Sequence, residues 1–468
     1  MKPRPGDANH LKRCRASCDA SLYPQGSAAY EARMLKIATP AEGIEMRWWH
    51  SPALLMLYFV VPFFLLIAAI TPYVIENAPV LASRVVFLEP SYVFGSLCLF
   101  LAFVAGAIPG GRKAFNRKVK LGDGCLDFLF YVTVVAYLIW FGPLVLSQPG
   151  LILDTIRGTV GAMYDVRDNA QNISGVTTAT QFGISYAIIY AIKQFQDGER
   201  LPATYHWKMA IIILLAIFRA AAFSERIAIV EIAIPVFAVY VTGRNFSQII
   251  FRLAIRPFPF VLYTIAPVFF AVFEYPRSWI NHYIELYDNF PHFVVDRFML
   301  YYVTSLNNIC AIMEYSPNPT YSGGWTLNWL YRFPVIGKIL SGESRNGDAT
   351  GPYSWFLDFL NIYASPEYNN TTGFLTVVYD WGWLLAIIFM AAYGAIAGFT
   401  FASFRSGRGR LRYVYPIVLY SIFEILRIGY IYDGRAVAAI IGVGIALAIW
   451  AKPVTDDVIV NSQARLSQ

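Results

Sequence analysis

Charge is scarce in this sequence. Asp, Glu, Lys and Arg make up 14% of its 468 residues, against roughly 25% in a soluble domain. So few ionic groups cannot clothe a water-facing surface of this size. The chain also lacks a Walker A loop, a glycine-rich dinucleotide fingerprint and a His-Glu-x-x-His zinc helix, which excludes the commonest nucleotide and zinc-hydrolase chemistries. Cysteines number five: Cys14, Cys18, Cys98, Cys125 and Cys310. Only Cys310 falls in a segment read as external, so no disulfide framework is expected there. Cys14 and Cys18 beside His10 lack the spacing and second pair of a zinc site. No cofactor and no metal is expected.

Long uncharged apolar runs are plentiful. Hydrophobic residues reach 57% and mean hydropathy is +0.48. The runs 52–72 and 384–404 contain no charged residue. The net charge of +7 gathers in short links. Link 110–120 holds Arg112, Lys113, Arg117, Lys118 and Lys120, and link 403–412 holds Arg405, Arg408, Arg410 and Arg412. Basic residues confined to alternate links are the positive-inside pattern of a multi-pass membrane protein. The charge is therefore topological, and no nucleic-acid partner is expected.

A helical span needs about 20 residues. The apolar runs predict an all-α, polytopic membrane protein with about ten spans: 53–73, 91–109, 126–146, 177–194, 208–223, 227–243, 257–274, 374–402, 413–429 and 436–451. The organisation expected is a disordered cytosolic tail at 1–47, spans one to seven within 48–274, a large external loop at 275–373, spans eight to ten within 374–451, and a cytosolic tail at 452–468. Both termini and links 110–125, 195–207, 244–256 and 403–412 are assigned to the cytosol. Loops 74–90, 147–176, 275–373 and 430–435 face outward. Within the large loop, aromatic periodicity predicts helices over 278–290 and 293–315, lying on the membrane surface or capping a cavity. The turn-rich segment 341–352, with Gly347 and Gly351, reads as a mobile lid. No internal repeat is visible, so an inverted-repeat transporter gains no support.

Charged residues within or beside spans are costly and mark candidate sites. Arg219, Glu225 and Arg226 lie at the outward ends of spans five and six, and Glu231 one to two turns inside. Glu424 and Arg427 close span nine, and Asp433 and Arg435 occupy the next turn. The loop adds Arg277, Arg297, Arg332 and Arg345. Arginine at outward edges runs against the positive-inside trend, and its planar fork matches phosphate oxygens. These residues are candidates for holding a diphosphate. The competing reading makes them structural, with Arg427 paired to Glu424 and Arg226 to Glu225 or Glu231. The first outward loop offers a lone Glu76, with Glu89 further on, which disfavours a divalent-metal site. Candidate bases for a hydroxyl are His282, His292 and Asp348, with Glu424 and Asp380 behind them. A surface histidine without a role is the bland alternative for the first two. Tyr321, Trp325, Tyr331 and Trp355 suit packing on sugar faces, and equally suit anchoring at headgroup depth.

Three elements together carry a resemblance. They are the arginine-bearing turn from Phe218-Arg219 to Arg226; Tyr321-Ser322-Gly323-Gly324-Trp325-Thr326 followed by Tyr331-Arg332-Phe333-Pro334; and Asn370-Thr371-Thr372-Gly373-Phe374 followed by Tyr379-Asp380-Trp381-Gly382. With the span architecture, they resemble bacterial Wzy-type polymerases of lipid-linked oligosaccharide repeat units, the O-antigen and exopolysaccharide polymerases. The resemblance implies a GT-C-like glycosyltransferase in the bacterial inner membrane. Donor and acceptor would be undecaprenyl-diphosphate-linked oligosaccharides, with a chain-length regulator as a possible partner. Arginines would stabilise the diphosphate leaving group without a metal. The alternatives are an O-antigen ligase, sharing donor and topology, and a flippase or transporter. The last predicts polar groups at mid-membrane depth and broken helices.

Overall fold

The structure, a computed structural model, describes residues 44–453 except 82, 114, 116, 158, 160, 171, 172, 174, 224, 244–254, 317, 322, 332, 334–336, 338 and 340–353; at 156, 163, 164, 167, 168, 223, 276, 277, 281, 354 and 357 it describes the backbone alone. The described residues are helical apart from connecting segments and one short antiparallel pair, Val119–Leu121 with Ala451–Pro453. Five helices are long and apolar enough to cross a bilayer: Pro52–Asn77, Pro90–Gly111, Gly124–Ser147, Ala203–Ala222 and Leu375–Ser406. Three more are apolar but shorter: Ile227–Thr242, Phe258–Glu274 and Gly434–Trp450.

The other two expected spans are not continuous helices. The run 177–194 splits into Val176–Ala179 and Phe182–Ala191, which then widens into a π turn over Ile192–Gln196. The run 413–429 yields only Tyr415–Glu424. Gly429 explains part of this early stop. A Cβ there would run into the Tyr432 ring, so the chain turns back tightly.

Local chemistry sets the other boundaries. Pro52 and Pro90 open their helices, where a missing N–H costs nothing. Asn289 caps Phe290–Tyr315 by accepting from the His292 amide at 2.9 Å, and Asp433 caps Gly434–Trp450 by accepting from the Arg435 amide at 2.9 Å. Gly407, at φ 61°, ends Leu375–Ser406. Gly382, at φ 77°, kinks the same helix near its start.

The bundle is held by a seam of small residues between helices 90–111 and 375–406. A Cβ on Gly106 would strike the Ala391 carbonyl, one on Gly394 the Phe103 carbonyl, and one on Gly398 the Ala107 carbonyl. Gly106 with Gly110, and Gly394 with Gly398, are two small-x-x-x-small pairs set face to face, which allows backbones to touch where lipid offers no hydrophobic drive.

Hydrogen bonds sort the helix ends into two sets. At one end, Trp48 and Trp49 donate to the carbonyls of Arg256 and Ile255 at 2.6 and 2.9 Å. Arg412 grips both carboxylate oxygens of Asp197 at 2.8 Å, and Lys193 reaches Asp123 and Glu199. This end carries the basic links. At the other end, Arg435 meets Glu225, Arg226 meets Glu274, and the Gly373 amide donates to the Ile425 carbonyl at 2.8 Å. The alternation of ends agrees with the alternation of links read from the sequence.

The large loop departs from one of the two arrangements expected for it. Its second helix, Phe290–Tyr315, is present, but it does not lie on a surface with one face exposed. Most of its length is buried on every side. Tyr302 packs on Phe63 and Tyr263, and Asn307 bonds both Val85 and Phe87. The first predicted helix, 278–290, is instead a π-helical continuation of Phe258–Glu274 over Tyr275–Tyr283, followed by turns to Asn289.

Candidate functional site

The shortness of helix Tyr415–Glu424 places the first charged pair. Ten residues rise about 15 Å, and the helix begins at the basic end, where the Tyr415 hydroxyl donates to the His50 carbonyl. Glu424 ends this helix and Arg427 follows in the next turn, beside the contact of Gly373 with Ile425. Arg427 gives Nη2 to Glu424 at 2.7 Å and Nε at 2.8 Å. The Tyr420 hydroxyl adds a bond to Glu424 at 3.1 Å. The i, i+3 pairing is the structural one weighed in the sequence. Arg427 nonetheless keeps 21% of its side chain exposed.

A second cluster joins four segments. Arg219, at the end of helix Ala203–Phe223, gives Nε and Nη2 to Glu225 at 3.0 and 2.9 Å, and Nη1 to Thr180 at 3.2 Å. Arg435 meets the same Glu225 oxygen at 2.7 Å. Its other terminal nitrogen stands 3.8 Å from Glu231, which also accepts from the Tyr430 hydroxyl at 3.0 Å. Gln181, with its amide turned to suit its neighbours, donates to Glu231 at 3.0 Å and accepts from Arg219. The break at 180–181 thus places two polar side chains against an arginine inside the bundle. Among this cluster Arg435 is the most open arginine, at 22% exposed.

The third cluster is sealed. Glu274, fully buried, lies between two arginines: Arg226 at 2.7 Å and Arg297 at 2.5 Å. Arg297, also fully buried, continues to Glu367, Tyr368 and Ser278. Burial alone would lower the Arg297 guanidinium, but Tyr368, Glu367 and Glu274 outweigh it and hold it well above its ordinary value. Arg226 also lies 3.8 Å over the Phe270 ring. The expected partners Glu225 and Glu231 belong to Arg219 and Arg435 instead; the partner of Arg226 is Glu274, because helix 258–274 delivers its last residue beside the turn.

The motifs that carried the resemblance are bonded to one another. The amides of Thr320 and Tyr321 donate to the carbonyls of Tyr379 and Asp380 at 3.2 and 2.8 Å. Asp380 accepts from the amides of Trp325 and Thr326 and the hydroxyls of Thr326 and Thr320. Trp381 donates to the Thr326 hydroxyl at 2.9 Å. Gly373 lies so close to 428–429 that a Cβ would overlap the Gly429 Cα. These residues lie together at the end opposite the basic links.

That arrangement corrects two candidates. Asp380 is fully buried and ringed by donors, so no face remains for a sugar hydroxyl. Trp325 is 6% exposed and packs on Phe356 at 5.0 Å, so it is a core residue rather than a sugar platform. Tyr321 and Trp355 are exposed, and Tyr331 is half-buried. Helix Asn328–Tyr331 lies against the start of Gly434–Trp450; a Cβ on Gly434 would sit 3.9 Å from that of Trp329.

His282 and His292 are both exposed. His292 stands edge-on to Tyr287 at 5.5 Å, and Tyr287 donates to Asp296. Burial pushes the Asp296 carboxyl above its ordinary range, against the opposing pull of that bond. Asp296, Glu274 and Glu367 were missed in the sequence. Only their spacing from Arg297 and Arg226 in the fold marks them, although Asp296 beside Arg297 on an aromatic helix was a visible signal. Arg332, Asp348 and the 341–352 lid lie outside the described residues, as does the Arg277 side chain. Among the described residues, no group of three or more His, Cys, Asp or Glu could hold a metal ion.

No protein-family model matches the chain, and neither curated proteins nor solved structures yield a match.

Proposed function

We propose that this chain is a membrane glycosyltransferase that polymerises lipid-linked oligosaccharide repeat units, in a ten-span, GT-C-like arrangement within the bacterial inner membrane. The observation that carries the reading is the gathering of five arginines, from the turns around 219–226 and 427–435 and from helix Phe290–Tyr315, at the helix ends opposite the basic links. Topology alone would leave those ends poor in arginine. Arg427 and Arg435 are the more exposed side chains of the five, each about one-fifth exposed, so they are the residues assigned to the undecaprenyl diphosphate. Arg219, Arg226 and Arg297 hold the walls. His292, backed by Tyr287 and Asp296, is the preferred base for the acceptor hydroxyl, with His282 second. Transfer breaks the bond between the donor sugar's anomeric carbon and the diphosphate. The acceptor oxygen bonds that carbon, its proton passes to the base, and the diphosphate leaves as an anion held by arginine.

The test uses purified protein in liposomes with synthetic lipid-linked repeat units, with product length read on gels. Arg427→Ala and Arg435→Ala should each lower the rate by about 100-fold or more, and lysine should rescue poorly. Full-length product from both alanine variants refutes the assignment. An O-antigen ligase would consume the same donor only when lipid A-core is supplied. A second reading, a lipid-linked glycan flippase, draws on the broken helices at 180–181 and 425–433. It predicts movement of labelled substrate across the liposome without new glycosidic bonds.

A further inference from the structure

The basic end holds a built groove that the proposed chemistry does not use. It measures about 590 Å³ and is lined, among the described residues, by Met46, Arg47, Trp48, Arg256, Pro257 and Phe260. Two adjacent indoles fix its shape by donating to the Arg256 and Ile255 carbonyls. The amide of Glu45 donates to the Thr242 carbonyl at 3.1 Å, pinning the same strap from the other side.

The charge here is unusual. Arg47 is largely buried, at 11% exposed, and meets Glu45 through Nη1 alone at 2.7 Å. Its Nε and Nη2 are buried without a partner among the described residues. A buried guanidinium with two idle donors carries a large desolvation cost. Arg256 adds a second, exposed cation to the same wall. The only carboxylate described at the groove is that of Glu45, itself 43% exposed.

The groove also has an apolar exit. Trp48 lies against Tyr58 and Phe260, with ring centres 6.3 and 6.2 Å away. Tyr58 and Phe260 are exposed, and the outer faces of their helices continue with Leu65 and Leu66 on one side and Ile265, Val268 and Val272 on the other. A phosphate between two arginines, an aromatic belt at headgroup depth, and two apolar helix faces beyond it form the outline of a phospholipid. Basic pockets between spans on the cytosolic side bind anionic headgroups.

We infer that the groove between Arg47 and Arg256 binds the phosphate headgroup of an anionic phospholipid of the leaflet on that side, with its acyl chains running between helices 52–77 and 258–274. Arg47 supplies the buried Nε and Nη2 donors, Arg256 the outer charge, and Trp48 the wall between headgroup and chains. The inference is independent of the glycosyltransferase reading.

The test titrates the purified full chain in neutral detergent with phosphatidylglycerol or phosphatidylcholine and counts retained lipid by native mass spectrometry. The wild-type protein should retain phosphatidylglycerol preferentially. Arg256→Gln, which removes an exposed side chain and leaves folding untouched, should weaken it about fivefold, and Arg47→Gln with Arg256→Gln about 25-fold, at about 1 kcal/mol per arginine. The control Arg410→Gln with Lys452→Gln removes the same charge from exposed positions elsewhere on this end and should change retention less than about twofold. Equal losses in control and groove variants would show diffuse charge attraction and overturn the inference. So would displacement of the lipid by excess inorganic phosphate, which would make the groove a site for the free anion.

Discussion

Glu274→Gln is the sharpest perturbation the fold offers. Glu274 is fully buried and is the shared partner of Arg226 and Arg297. At a charge separation near 4 Å and an effective dielectric near 20, each pair contributes an attraction of about 4 kcal/mol. Glutamine keeps the shape and loses both attractions. Arg297 retains Glu367, and Arg226 retains the Tyr301 hydroxyl at 3.1 Å and the Phe270 ring, so the net loss is the 3–5 kcal/mol typical of a broken buried pair. Helix Phe290–Tyr315, which carries Arg297, also carries the fully buried Cys310. In a chain keeping Cys310 as its sole cysteine, labelling by a thiol-reactive dye reports the opening of this helix. The loss converts to a rise in labelling rate of about 100-fold or more. Adding Arg226→Gln restores charge balance, leaving Arg297 with Glu367, and should slow labelling at least about tenfold from the single variant. Labelling of Glu274→Gln within about threefold of the parent would mean the network adds nothing to the fold.

Gly394→Val drives a side chain into the Phe103 carbonyl and should remove the folded monomer from size-exclusion profiles, whereas Gly142→Val, which meets nothing within 4 Å, should not. Asp380→Asn turns an amide nitrogen toward a ring of donors and should lower stability by about 3 kcal/mol, read as a lower melting temperature and faster proteolysis after 320–327. On the basic end, burial works to raise the Glu199 carboxyl, but Lys193 and Lys120 override it and hold it below the usual range. A depressed carboxyl stabilises the fold above its unfolded value and loses that contribution as pH falls through the folded one. Thermal stability should therefore drop on acidification below about pH 4, and Glu199→Gln should flatten that drop.

Apolar periodicity made the long helices legible, because a run such as 375–406 can be satisfied in lipid only as a helix. It did not reveal where the helix within 413–429 ends. Hydropathy sees an apolar run, whereas the chain stops at Glu424 because Glu424, Arg427 and Glu231 find polar partners inside the bundle and Gly429 turns the backbone. The seam of Gly106, Gly110, Gly394 and Gly398 stood in the sequence as two small-x-x-x-small pairs and went unread among the apolar counts. The burial of Phe290–Tyr315 was hidden for a different reason: a helix with aromatics on one face looks interfacial until the partners of its Arg297, Asn307 and Asn308 are known. Arg427 with Glu424 was legible from i, i+3 spacing. Arg226 with Glu274 was not, since their separation of 48 positions is closed only by the packing of helix 258–274.

The balance of charge at the helix ends opposite the basic links constrains how any anion is held there. Five arginines, Arg219, Arg226, Arg297, Arg427 and Arg435, face five glutamates, Glu225, Glu231, Glu274, Glu367 and Glu424. A diphosphate entering this set must use guanidinium surface that a carboxylate does not already cover, or displace a carboxylate. Arg297 and Arg219 have almost no open surface; displacing their partners would leave a buried carboxylate unpaired, at a cost of several kcal/mol. Arg427 and Arg435 are each about one-fifth exposed, and the contact of Arg435 with Glu231 is loose at 3.8 Å. These two can add a phosphate oxygen without surrendering a carboxylate. For the same reason, loss of activity in an Arg→Ala variant does not by itself identify a substrate contact, because alanine also strands a glutamate. Removing Glu424 together with Arg427, or Glu367 together with Arg297, keeps the charge balanced, and Glu274 keeps Arg226 in the second case. If activity returns in the Arg297 and Glu367 pair but not in the Arg427 and Glu424 pair, the first arginine holds the fold and the second holds the diphosphate.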